Sequence, residues 1–284
     1  MFCMRQTNIR SGIAKTAIAV SVMAFRPLLA VSQCDDPRHV SNIHTSIVVR
    51  EPNALNILSE TLAVMGGDQW TSVAGVRIAA TMAATQLHPA IQTVSIEDFS
   101  HPLKPRLSRS TTQGSITHRS VADEELPSVK ATVGQRTISV PPTPPLELIA
   151  TENPAIAIAF ALHKGSVSVC MLRNTRDIDH PSQEVKWIRI FHRTSRGAVT
   201  AVDLAISNST LLPVRARRML PSLSHFAPAA WEDVEFIGFA SQSGLMFPTA
   251  VHIGGASQVP SDITFEAVQL NPAISSTDFP GDSQ

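Results

Sequence analysis

The sequence has no tyrosine at all, only 5% aromatic residues, and three cysteines among 284 residues. Cysteines at 3, 34 and 170 are too few and too widely spaced for a disulfide framework or a CxxC metal site. No sign of charge prevails: 23 Lys+Arg balance 23 Asp+Glu, and lysine is confined to Lys15, Lys104, Lys130, Lys164 and Lys186. With no net field to draw phosphates or an anionic surface, a nucleic-acid partner is disfavoured. Long apolar runs are absent too. The one near the N-terminus, residues 16–25, is cut short by Arg26-Pro27, whereas a spanning helix needs about 20 apolar residues. Also missing are a Gly-x-Ser-x-Gly elbow, a His-Glu-x-x-His helix, a phosphate loop and a Gly-x-Gly-x-x-Gly turn, so the familiar hydrolases and nucleotide enzymes lose their support.

What is present begins with an export signal. Arg5, Arg10 and Lys15 stand without an acid before the short apolar run, which is the pattern of a charged n-region and an h-region. The expected organisation is a signal peptide over residues 1–30, a flexible leader over 31–51, and one domain over 52–280. Cleavage after Ala30 removes four basic residues and no acid, leaving a net charge of about −4. Cys34 follows Gln33, where a bacterial lipid-attachment site would place Gly, Ala or Ser, so lipidation is disfavoured. Cys34 and Cys170 are read as a tail thiol and a buried apolar side chain in preference to a disulfide.

Hydrophobic periodicity then lays out the domain. Pro52 suits a first helical turn, and Leu55, Leu58, Leu62 and Met65 recur at spacings of three and four before Gly66-Gly67. Past them the period becomes two, with Val76, Ile78, Ala80 and Met82 on one face and Val94 and Ile96 on one face of the next run. Residues 106–112 and 115–122, joined by Gln113-Gly114, predict a polar hairpin at a sheet edge. Residues 129–140 predict a single strand broken by Gly134. Pro141-Pro142-Thr143-Pro144-Pro145 leads into a helical insertion near 144–163, split by Pro154. Strands return over 167–172, 184–193, 199–207, 212–220, 231–240, 245–253 and 263–270, with short turns that imply an antiparallel meander. Without crossover helices between them, a parallel nucleotide-binding sheet is disfavoured.

The order of these pieces carries a resemblance. A helix closed by Gly66-Gly67, then Trp70, Val73 and Gly75-Val76-Arg77-Ile78, resembles the opening of the bacterial outer-membrane lipoprotein-sorting (LolA-like) superfamily. The end of the chain is similar as well, through residues 201–206, Leu212-Pro213-Val214-Arg215, Gly244-Leu245-Met246-Phe247-Pro248 and Val268-Gln269-Leu270-Asn271. The set covers residues 52–280. It departs from the pattern in having no Tyr and in placing Val202-Asp203-Leu204 before its turn. The resemblance implies an α+β fold: a strongly curved antiparallel sheet, an incomplete β-barrel, with helices covering the concave face and an apolar cavity between.

No chemistry-bearing constellation emerges. The histidines from His88 to His252 are scattered without metal-ligand spacing, and Asp177, Asp179 and His180 before Pro181 are explained by turn chemistry. Arg215 and Arg217 alternate on one strand face, which predicts a solvated face, with headgroup binding as the alternative. In the strand holding Trp187, both faces are apolar enough to be buried. Two functional classes follow, neither requiring a cofactor. One is a non-enzymatic periplasmic or envelope protein that binds a lipid, acyl chain or lipoprotein, with Val76, Ile78, Val94, Ile96, Trp187, Leu204, Ile206 and Phe236 as candidate ligand contacts. The other is a structural module whose cavity is filled by its own side chains and whose partner is another envelope protein. An enzyme ranks third for want of a nucleophile or acid/base pair.

Overall fold

A computed structural model of the chain describes residues 48–84, 94–101, 106–113, 116–123, 129–133, 136–140, 145–172, 184–193, 199–219, 231–255 and 260–273. The expected signal peptide, the leader up to residue 47, and the Asp177/Asp179/His180 loop lie outside these residues.

Helix α1 runs Pro52–Val64 and begins on proline, whose missing N–H costs nothing in a first turn. Its buried stripe is Ala54, Ile57, Leu58, Thr61 and Leu62, continued by Met65. A short turn of helix, α2 (Gln69–Ser72), buries Trp70. Two helices follow later, α3 (Pro145–Glu152) and α4 (Pro154–His163), parted at Asn153 because Pro154 cannot donate its amide into a continuing helix.

Among the described residues thirteen strands make one antiparallel sheet: β1 (Val76–Ala84), β2 (Val94–His101), β3 (Arg106–Gln113), β4 (Ile116–Asp123), β5 (Val129–Val133), β6 (Arg136–Val140), β7 (Ser168–Met171), β8 (Val185–Arg193), β9 (Val199–Ser207), β10 (Pro213–Met219), β11 (Trp231–Gln242), β12 (Leu245–Gly255) and β13 (Ser261–Leu270). Their order is β6-β5-β4-β3-β2-β1-β13-β12-β11-β10-β9-β8-β7. Two meanders are thus joined where the first strand pairs with the last, Val76 opposite Leu270. β6 and β7 form the two ends of the order, so the sheet is not closed into a barrel.

Two expectations are corrected. The β3/β4 hairpin is no edge, because residues 129–140 form a further hairpin instead of one strand, with Val133 opposite Arg136.

Strong curvature follows from one helix. α3 touches β9 and β10 and also β3, which stands six places from β10 in the strand order. In a flat sheet that separation is about 29 Å at roughly 4.8 Å per strand, whereas eight residues of helix span only about 12 Å. Only a sheet bent around the helix brings both sides within reach. Glu152 at the end of α3 indeed pairs with Arg109 of β3.

Candidate functional site

The helix-covered, concave face is one apolar surface. Val76, Ile78 and Ala80 of β1, Ile188 and Ile190 of β8, and Val202, Leu204 and Ile206 of β9 join Val234 and Phe236 of β11 in a single core with α1, α3 and α4. Strand alternation selects them, since residues two apart share a face and cross-strand partners such as Ile188 and Leu204 point the same way. α4 lies within this concavity and is buried from Pro154 through Ala161, with no polar face. A helix apolar all round is one enclosed on every side.

Polar contacts hold that helix pair at its ends. Beyond α4, the Arg50 guanidinium donates through Nη1 to the carbonyls of Ala161, Lys164 and Val167, each at 3.0 Å, and through Nη2 to Leu162 O at 3.2 Å. Those of Ala161 and Leu162 belong to the last turn of α4, where carbonyls lack intrahelical partners, and those of Lys164 and Val167 follow in the turn beyond it. Arg50 is placed there because residues 48–51 run beside β7: Glu51 N donates to Val169 O and Val169 N to Val49 O. Asn153, between the helices, is buried, and among the described residues its side-chain amide has no hydrogen-bond partner.

A second locus ties α1 to the β11/β12 hairpin. Met65 O accepts from Trp70 Nε1 at 2.9 Å and from Met246 N at 3.0 Å. The Trp70 and Phe247 rings lie 5.3 Å apart. Gly244 has φ +82°, and a Cβ on Gly66 would come within 2.5 Å of Leu245 Cδ2 and 3.0 Å of Gly244 O. Gly66-Gly67 and Gly244–Phe247, two motifs of the resemblance far apart in sequence, therefore pack against one another. Pro248 pairs with Phe239 beside an irregularity at Gly238, and it lies beyond the β12/β13 ladder, which runs only from Ala250 to Ile253. Its missing amide leaves no bond unmade there.

Of the sequence-predicted contacts, Val76, Ile78, Leu204, Ile206 and Phe236 come together in the concave core. Val94 and Ile96 stand in register opposite Met82 and Ala80; their side chains lie outside the described residues. Trp187 is elsewhere. It pairs with Ala205 on the convex face, and Arg217 stacks over its ring at 4.4 Å.

That convex face carries a row of charges which single-strand reading did not anticipate. Arg189, Asp203, Arg217 and Asp233 are consecutive partners across β8, β9, β10 and β11. Arg189 donates Nε to Asp203 Oδ1 at 2.6 Å and Nη2 to Oδ2 at 2.8 Å, a two-pronged pair, and lies over Trp231. Arg217 Nε donates to Asp233 Oδ1 at 2.5 Å. Burial pushes the Asp203 carboxyl up from its ordinary value against the opposing pull of Arg189. Arg215, expected on a solvated face, is buried. Arg218 faces the other way: it is opposite Val202 and pairs with the buried carboxylate of Glu232, a charged spot at the margin of the concave core.

Cys170 in β7 is fully buried and disulfide-bonded. This corrects the expectation of a free apolar thiol. Among the described residues no three His, Cys, Asp or Glu side chains are grouped to hold a metal, and no helix is long and apolar enough to cross a membrane.

No family model matches the sequence, and no curated protein does either. Solved structures do. A DUF1329 family protein from Desulfovibrio piger is 10% identical, with a TM-score of 0.50 over 80% of this chain and 97% of that one. The likeness is one of fold. Two further structures are similar at lower TM-scores. A LolA superfamily protein from Nitrosomonas europaea is 17% identical, with a TM-score of 0.49 over 79% of this chain and 96% of that one. An outer membrane lipoprotein-sorting protein domain from Vibrio parahaemolyticus is 7% identical, with a TM-score of 0.48 over 80% of this chain and 96% of that one.

Proposed function

We propose that this chain is an exported, non-enzymatic envelope protein that binds an apolar ligand, an acyl chain or lipid, on the concave face of its sheet. The observation that carries the reading is the apolar core that this face shares with α3 and α4. α4 is apolar and buried from Pro154 through Ala161, and the helix pair makes polar contacts at its ends, at Arg50 beyond α4 and at the Glu152–Arg109 pair of α3. Apolar contact is non-directional, so an acyl chain can take the place of apolar helix side chains in the core that holds Leu204 and Ile206 without stranding hydrogen-bonding groups. The Arg218–Glu232 pair at the margin offers a polar end for an amphiphile. The resemblance of the ordered motifs to the lipoprotein-sorting superfamily points the same way.

A second reading rests on the same helix. The burial of α4 from Pro154 to Ala161 is also what a permanently filled concavity requires, and in that case the protein is a structural module that meets an envelope partner through its outer surface. Titration of the delipidated protein with a fluorescent fatty-acid probe separates the two. Saturable binding, competed by unlabelled fatty acid, supports a ligand carrier; a linear, non-competable signal supports the filled module.

A further inference from the structure

We infer that the Asn153 side chain anchors the polar end of the bound amphiphile, and that this end is a neutral group carrying a hydroxyl. The inference rests on the reading of the concave face as a lipid-binding surface and names what that lipid presents to it. Asn153 holds the cap position before Pro154 at the start of α4, where an asparagine ordinarily turns its amide oxygen back to the first N–H groups of the helix. Here the side chain makes no cap hydrogen bond, and Ile156 N donates instead to the Asn153 backbone carbonyl at 3.1 Å. The residue is 1% exposed, and neither Oδ1 nor Nδ2 has a hydrogen-bond partner among the described residues. A buried amide in this state carries the full desolvation penalty of its polar atoms, which a partner supplying both a donor and an acceptor relieves.

The surroundings select the chemistry of that partner. Ile149 and Ala150 before Asn153, and Ala155 and Ile156 after it, all belong to the apolar core, so an acyl chain lying in that core can bring its end to the amide. The nearby charges are already matched. Glu152, next in sequence, pairs with Arg109, and at the margin of the core Arg218 pairs with Glu232. A carboxylate or phosphate at Asn153 would add an uncompensated charge to a buried site, at a cost that a neutral amide does not offset. A hydroxyl meets both needs: its oxygen accepts from Nδ2 and its O–H donates to Oδ1, whereas an ether end can only accept.

Displacement of a fluorescent fatty-acid probe from the delipidated full chain tests it, with dodecanol, its methyl ether and dodecanoate as competitors. Dodecanol should displace the probe at a concentration about three- to tenfold lower than the ether does, the range of one hydrogen bond. Asn153→Leu should abolish that margin and leave displacement by the ether unchanged. The thermal midpoint of the ligand-free variant should equal or exceed that of the wild type, because leucine replaces an amide that has nothing to bond. Equal displacement by alcohol and ether in the wild type, a margin that survives Asn153→Leu, tighter displacement by dodecanoate than by dodecanol, or a lowered midpoint of the ligand-free variant each overturns the anchor and leaves the lipid-binding reading standing. Absence of saturable displacement by all three competitors removes that reading, and the anchor with it.

Discussion

Arg50 gives the sharpest energetic test of how the helix pair is held. Its Nη1 lies 3.0 Å from three carbonyls but carries only two hydrogens, so at least one of those bonds is shared; Nη2 adds a fourth acceptor at 3.2 Å. Two to three effective bonds remain. Hydrogen bonds to a charged group are worth about 1.5–3 kcal/mol each when buried, and this site is only partly buried, so Arg50→Met should destabilise the fold by about 2–4 kcal/mol. Arg50→Lys keeps the charge near the end of α4 and loses the planar fork, so it should recover roughly half of that loss. Urea unfolding at fixed pH reads both numbers. Amide exchange should speed up selectively near Lys164 and Val167, the residues whose carbonyls are released. A loss below about 0.5 kcal/mol for Arg50→Met, or exchange that rises evenly over the chain, would refute the idea that these carbonyls depend on the guanidinium.

Other perturbations probe separate parts of the account. Leu58→Ala empties a fully buried site on α1 and should cost about 2–5 kcal/mol in chemical unfolding; under about 0.5 would make the helix peripheral. Gly244→Val should lower the thermal midpoint, because φ is +82° and a Cβ there meets Gln69 Oε1 at 3.0 Å; an unchanged midpoint contradicts the turn. The pH dependence of Asp203 has a definite sign. Burial raises its pKa above 3.8, so the folded protein keeps that proton to higher pH than the unfolded chain does. Its contribution to stability is full below 3.8 and is lost as pH rises through the folded value. The stability of the wild type relative to Asp203→Asn should accordingly fall as pH rises across that window, measured by urea midpoints; a difference that grows with pH would mean that Arg189 outweighs burial.

Local patterns in the sequence carried most of the fold. α1 was legible because Leu58, Leu62 and Met65 repeat at helical spacing between a proline and two glycines, and β9 because alternation is regular over residues 199–207. What escaped were non-local facts. Val76 facing Leu270 depends on partners almost two hundred residues apart, and nothing within either strand encodes it. The same holds for the charge row: Asp203 looked misplaced before its turn until Arg189 and Arg217 stood beside it on neighbouring strands. Arg215 read as solvated because alternation fixes which residues share a face without saying what covers that face. Trp187 was grouped with Leu204 and Ile206 on apolar character alone, yet its register opposite Ala205 turns it to the convex side.

Photocrosslinking tests the central claim most directly. A fatty acid bearing a photoactivatable group near its tail is bound to the delipidated protein, irradiated, and located by peptide mass spectrometry. The account predicts one adduct per chain, confined to peptides of the concave core, namely β1, β8, β9 and α4, and suppressed by excess unlabelled fatty acid. Adducts scattered over the convex face around Trp187 and Trp231, or labelling that unlabelled fatty acid does not suppress, would contradict it.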